Sequence, residues 1–133
     1  MIKFSALCGI LVLSSISIQA AEFDDGCSQF KSEQTKYTIC LDEALKTAYR
    51  ARATWIKKWD DSLNARANRT GDRNHLALFE RSLAQFDAYL QSSCRWRYLD
   101  TMPHGPHAAI FYKRCELQLV KQHTDTLQLS LGQ

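Results

Sequence analysis

The chain has 133 residues, 45% of them hydrophobic by type and 23% charged, with seventeen basic side chains, fourteen acidic ones and five cysteines. That length supports one small domain with a modest core and leaves no room for a second. A net charge of +3 is too slight to mark a dedicated nucleic-acid binder, and no nucleic acid is expected as a partner.

Residues 1–20 read as a secretory signal peptide. Lys3 gives a basic start, and Phe4 to Ile18 is apolar or small throughout. The run is shorter than the roughly 20 apolar residues needed to span a bilayer. Ile18-Gln19-Ala20 ends it with a small residue at the expected cut. Cys8 lies inside the apolar run behind Leu7, the wrong place for a lipid anchor. The expectation is export to an oxidising bacterial periplasm, a mature chain starting near Ala21 at net charge +2, and no membrane span after cleavage.

Four cysteines then remain, Cys27, Cys40, Cys94 and Cys115. An even number in a small exported chain points to two disulfides, for which three connectivities exist. Local pairing, Cys27 with Cys40 and Cys94 with Cys115, is expected because each bond closes a short loop across a helix boundary. Such loops contribute about 3 kcal/mol each. A zinc site from the same thiolates would ordinarily show C-x2-C spacing, which the chain lacks.

Residues 21–36 are polar, contain Gly26 and show little periodicity, so an irregular arm held by Cys27 is expected. From Tyr37, Leu41, Leu45, Tyr49, Ile56, Trp59 and Leu63 recur at helical spacing and predict one amphipathic helix of about eight turns. Arg52 falls beside that stripe and is expected to lay its stem on the core and keep its head in water. The alternative is an arginine paired internally or to a partner. Basic residues from Lys46 to Arg73 form a face that could meet nucleic acid or anionic lipid and is read as a solvated one.

Asn68 to Asp72 is the clearest break: Gly71 suits a left-handed helix end, and Asp72 can cap the next helix. Leu76, Phe79, Leu83, Phe86, Leu90 and Cys94 form the second stripe. Arg95, Trp96, Arg97 and Tyr98 close this helix, where cations complement the dipole and where aromatic and arginine side chains also suit an interface. Asp100 to Pro106 is expected to be irregular, with Gly105 and Pro106 opening a third helix. Its inner side is read as Ala108, Phe111, Cys115 and Leu119, its margins as Tyr112 and Val120, with Leu127 extending it. The fold class is all-α: a disulfide-stapled helical hairpin or small three-helix bundle, two long helices plus a C-terminal one, in a single domain over residues 37–133.

Catalytic patterns are absent. Asp60 and Asp61 are adjacent on a helix, point about 100 degrees apart and cannot flank one bond. There is no G-x-S-x-G, no H-E-x-x-H and no phosphate-cradling glycine loop, so an enzyme is not expected. His104, His107 and Asp100 are metal-capable by type, but Gly105 and Pro106 interrupt them, and no metal or other cofactor is expected.

Taken as Leu83, then Phe86-x-x-Tyr89-x-x-x-x-Cys94, then Cys115-x-x-x-Leu119-x-x-x-His123-x-x-x-Leu127, the second half resembles the LprI-type lysozyme-inhibitor family. The first half fits more loosely, through Cys27, Thr35, Cys40 and the long helix. His123 stands where that family usually has Arg and Phe86 where it usually has Trp. The family's Gly-rich loop is replaced by Met102 to Pro106, and its usual first-helix Asp and Leu-Asn are not at their expected offset. The resemblance implies a protein that binds and blocks a lysozyme or another peptidoglycan hydrolase. A rigid Asp100 to His107 loop is the expected plug, with His104 and His107 near Arg95, Trp96 and Arg97. The alternatives are a periplasmic structural or stress-associated interaction module and an immunity protein against a delivered cell-wall toxin.

Overall fold

The structure, a computed structural model, describes residues 22–102 and 105–129. An arm with one 3-10 turn at Ser28–Phe30 leads into helix α1 (Gln34–Thr70), α2 (Asn74–Thr101) and α3 (Gly105–Leu129). The all-α bundle expected from the periodicity is present, with α1 starting three residues before Tyr37 and running 37 residues, about ten turns.

The first turn forms as its residues dictate. Gly71 adopts φ 74°, a left-handed conformation that side chains with a Cβ resist, and its amide donates to the Ala67 carbonyl at 2.8 Å. Asp72 Oδ1 accepts from the Asn74 amide at 2.9 Å and starts α2. The second connection departs from expectation. Instead of an irregular loop from Asp100 to Pro106, α2 continues through Thr101 and α3 begins at Gly105. Proline removes a donor and crowds the residues just before it, and α2 stops at Thr101, two residues short of Pro103.

The helices run up, down and up. α3 packs against both partners, whereas α1 and α2 meet each other far less. The central core joins Tyr37, Leu41, Leu45 and Ala48 of α1 to Leu90 of α2 and Leu117 and Val120 of α3. The inner side of α3 is therefore corrected: Val120 and Leu117 are fully buried, while Phe111 is 51% exposed and Cys115 and Leu119 are half-buried. A helix wedged between two others buries a broader, rotated sector than a single stripe predicts. Both expected disulfides are formed, Cys27–Cys40 and Cys94–Cys115, with Cα atoms 5.9 and 5.6 Å apart.

The arm is more ordered than its composition suggests. Asp25, only 3% exposed, accepts from the Cys27 amide at 2.9 Å and from the Tyr37 hydroxyl. Oδ2, the oxygen that accepts from Tyr37, also lies 2.9 Å from Arg114 Nε on α3. Burial alone raises the Asp25 pKa, but the bonds from Tyr37 and Cys27 and the Arg114 charge outweigh it and leave the carboxyl below its usual range. Burial, then the bond to Asp25, pushes the Tyr37 phenol up to about 12.

Arg52 also departs from expectation. Its side chain is buried, not wet-headed, and it touches all three helices. Nε donates to His123 Nδ1 at 2.9 Å. Nη2 lies 2.8 Å from Asp87 Oδ1, an ion pair by distance without the alignment of a hydrogen bond. The guanidinium carbon sits 4.9 Å from the Phe86 ring centre, and Phe86 stacks on His123 at 3.9 Å with planes 10° apart.

An accepting Nδ1 requires His123 to be neutral in the fold. Burial first, then the Arg52 charge, holds its pKa below the usual 6.5, against an opposing pull from Asp87. Below about pH 6.5 the unfolded chain therefore binds more protons than the fold; His123's contribution is complete above that pH and is lost as pH falls toward the depressed value. Urea unfolding is expected to give a lower midpoint at about pH 5.5 than at about pH 7.5, and His123→Gln to remove most of that difference. An equal acid loss in the variant would place the titrating group elsewhere.

Candidate functional site

The Cys94–Cys115 bond clamps the last turns of α2 to the first half of α3, and the exposed aromatic side chains concentrate around that clamp. Tyr89 and Trp96 are seven residues apart, two turns, and so share one face of α2. They are 56% and 57% exposed, because Leu90 and Cys94 take the core side of the same helix. Phe111 on α3 shares a groove with Tyr89. Between the helices lies a groove of about 460 Å³ lined by Phe23, Tyr89, Arg97, Phe111, Cys115 and Leu119.

Arg97 is held in place at this groove. Its Nη1 donates to the Ser93 carbonyl one turn back at 2.6 Å, and its guanidinium lies 4.6 Å from the Trp96 ring centre. The stacked pair presents a cation and an aromatic face with few rotamers left to freeze, which lowers the ordering cost of binding.

Of the residues singled out from the sequence, Trp96 and Arg97 come together here. Arg95 faces the other side of the α2–α3 pair, in a groove of about 390 Å³ with Tyr98, Leu99 and Tyr112. There Tyr98 meets Tyr112 edge to face, with ring centres 6.2 Å apart. His107 is exposed in the first turn of α3. His104 lies outside the described residues. Since α2 extends to Thr101 and α3 starts at Gly105, a plug made of a long loop is replaced by a helical corner.

Tyr89 and Phe111 are the site residues that sequence reasoning left out. Tyr89 carried a signal, standing outside the stripe of Leu83, Phe86 and Leu90 yet inside the spaced motif. Phe111 did not, since steps of four to Cys115 and Leu119 suit a groove wall as well as a core.

A larger groove of about 510 Å³ runs beside the Cys27–Cys40 bond, walled by Ala44, Thr47, Ala48, Ala51 and Thr124 among others. It lacks the aromatic and guanidinium anchors that concentrate binding energy. Near the centre, the Tyr49 hydroxyl bonds Glu116, and burial followed by that bond raises its pKa above the usual range. Among the described residues no group of three or more His, Cys, Asp or Glu side chains is arranged to hold a metal ion. No known family model, curated protein or solved structure matches this chain.

Because the clamp sits at the groove itself, its loss acts on site and stability together. Cys94→Ser with Cys115→Ser is expected to cost about 3 kcal/mol by chemical denaturation. Hydrogen exchange should quicken in the last two turns of α2, while amides around Leu41 and Leu45 stay protected. Uniform deprotection of α1 as well would show that the clamp holds the whole bundle and not this end.

Proposed function

We propose that the chain is an exported inhibitor that binds a lysozyme-like muramidase through the α2–α3 corner. The observation that carries this reading is the arginine-aromatic surface at a disulfide-clamped helical end: Arg97 lies over the exposed Trp96 ring and lines a groove with Tyr89 and Phe111. Aromatic and arginine side chains are the usual anchors of protein interfaces, and a clamped surface loses little entropy on docking. The spaced motif resembling LprI-type inhibitors falls on this same corner, through Tyr89, Cys94, Cys115 and Leu119.

The chemistry of the target fits such a surface. A muramidase cleft holds two carboxyl groups on either side of the scissile bond. Arg97 offers a forked donor to a carboxylate, and Trp96 and Tyr89 offer flat apolar faces of the kind that pack in a sugar-binding cleft. His107, exposed at the start of α3, lies on the same end of the bundle. In this reading the protein performs no chemistry and uses no cofactor. Export is supported by the two disulfides and by the apolar run from Phe4 to Ile18. No helix among the described residues is long and apolar enough to cross a membrane.

Purified oxidised protein should abolish the wall-lytic activity of at least one of a hen-type, a goose-type and a phage-type lysozyme near equimolar ratio. Trp96→Ala with Arg97→Ala is expected to raise the inhibitor concentration required about tenfold or more without moving the thermal midpoint, since both side chains are exposed. Undiminished lysis by all three enzymes at excess inhibitor would overturn the proposal. Full inhibition by the double variant would move the site off this corner.

A further inference from the structure

Along the body of the bundle most basic side chains have a carboxylate. Lys36 pairs with Glu33, Lys46 with Glu43, Lys57 with Asp61, Arg52 with Asp87, Lys113 with Asp42 and Arg114 with Asp25. The exceptions there are Arg50, Lys58, Arg95, Arg97 and Lys121, whereas near the α1–α2 turn every arginine lacks such a partner among the described residues. Arg66, Arg69, Arg73 and Arg81 are exposed and form no ion pair among the described residues. The nearby Asp72 is engaged by the Asn74 amide at 2.9 Å and by His75 at 3.6 Å.

The Trp59 indole donates to the Leu127 carbonyl at 2.9 Å, near the last described turn of α3. α1 continues about 16 Å from Trp59 to Thr70, so Arg66, Arg69 and Arg73 lie past that contact, at the α1–α2 tip. Leu78, 61% exposed, and Arg81, three residues later on the same helical face, lie at the base of this tip, beside the Phe79–Trp59 ring contact.

We propose that the tip is a docking surface for an anionic phospholipid bilayer. Guanidinium groups bind phosphates through two parallel hydrogen bonds, and unpaired arginines at one end of the bundle meet a charged plane without giving up internal ion pairs. Leu78, on the face of α2 that carries Arg81, enters the boundary between headgroups and acyl chains. Single-stranded nucleic acid would call for exposed aromatic rings on which bases stack. The tip's Phe79 is instead half-buried, 6.4 Å from the Trp59 ring. Docked this way, α2 holds Trp96 about 30 Å from the bilayer, with the α2–α3 corner facing away from it. The inference stands apart from the identity of any partner at that corner.

Cosedimentation tests it, using the purified disulfide-bonded chain without its first apolar run. The probes are vesicles of equal parts phosphatidylglycerol and phosphatidylethanolamine, against vesicles of phosphatidylcholine alone. Binding is expected only to the former, weakening as salt rises. The combined variant Arg66→Glu, Arg69→Glu and Arg73→Glu should lose about tenfold or more in affinity while keeping its helical circular dichroism. Leu78→Ala should lose less, and Trp96→Ala with Arg97→Ala nothing. Absent binding, equal binding to both vesicles, or undiminished binding by the triple variant would overturn the proposal. Retention on double-stranded DNA without vesicle binding would overturn it too, reassigning the tip to a soluble polyanion.

Discussion

One buried guanidinium holds the register of this bundle. Burying an ion costs several kcal/mol unless its charge and donors are met, and each of Arg52's contacts comes from a different helix than its own. Asp87 on α2 supplies the charge, His123 on α3 accepts from Nε, and Phe86 covers one side. Sliding α3 by one turn, about 5.4 Å, would remove the acceptor and leave the buried Nε–H without a partner. The leucine and alanine packing around it has no such penalty, since one small apolar side chain replaces another with little loss. The polar contact thus distinguishes between packings that hydrophobic burial alone treats as similar.

The same geometry explains why α3 decides the layout. It is shorter than either partner, yet it touches both along its length, while α1 and α2 are held together directly only through a few side chains such as Trp59 with Phe79 and Arg52 with Asp87. Along α3 the bundle has a three-sided core, and toward the α1–α2 turn Ala67 and Leu76 are the buried positions. The aromatic surface lies where α3 and α2 are clamped together, and Arg66, Arg69 and Arg73 lie at the opposite end, around the α1–α2 turn.

How much of this was legible in the sequence depended on how local its cause is. Gly71 and Asp72 act within four residues, and the turn they form was readable from residue type. Cys27 with Cys40 and Cys94 with Cys115 are near in sequence, so the preferred pairing held. The placement of Arg52 was not readable, because its acceptor His123 is 71 residues away and only the assembled bundle brings it close. Phe111 was misplaced for a related reason. A single-stripe reading assumes one neighbour, whereas α3 has two, and its buried sector turns toward Leu117, Val120 and Thr124. Trp96 and Arg97 were recognisable as a candidate anchor by composition, but their groove partner Tyr89 required the α2 surface to be seen whole.

The two disulfides secure different parts of the fold. The arm packs Phe23 and Phe30 beside the core, and Cys27–Cys40 with the Asp25 contacts to Tyr37 and Arg114 holds it against α1 and α3. At the other clamp, Tyr89, Trp96 and Phe111 are turned outward and contribute little to the core. A helical end that leaves its large aromatic side chains exposed gives up burial worth about 1.5–3 kcal/mol for each. The Cys94–Cys115 crosslink recovers part of that through the unfolded state, about 3 kcal/mol, without covering the surface. An exposed arginine-aromatic face and a covalent clamp beneath it are therefore two parts of one arrangement: the second permits the first in a domain too small to hold that end by packing alone.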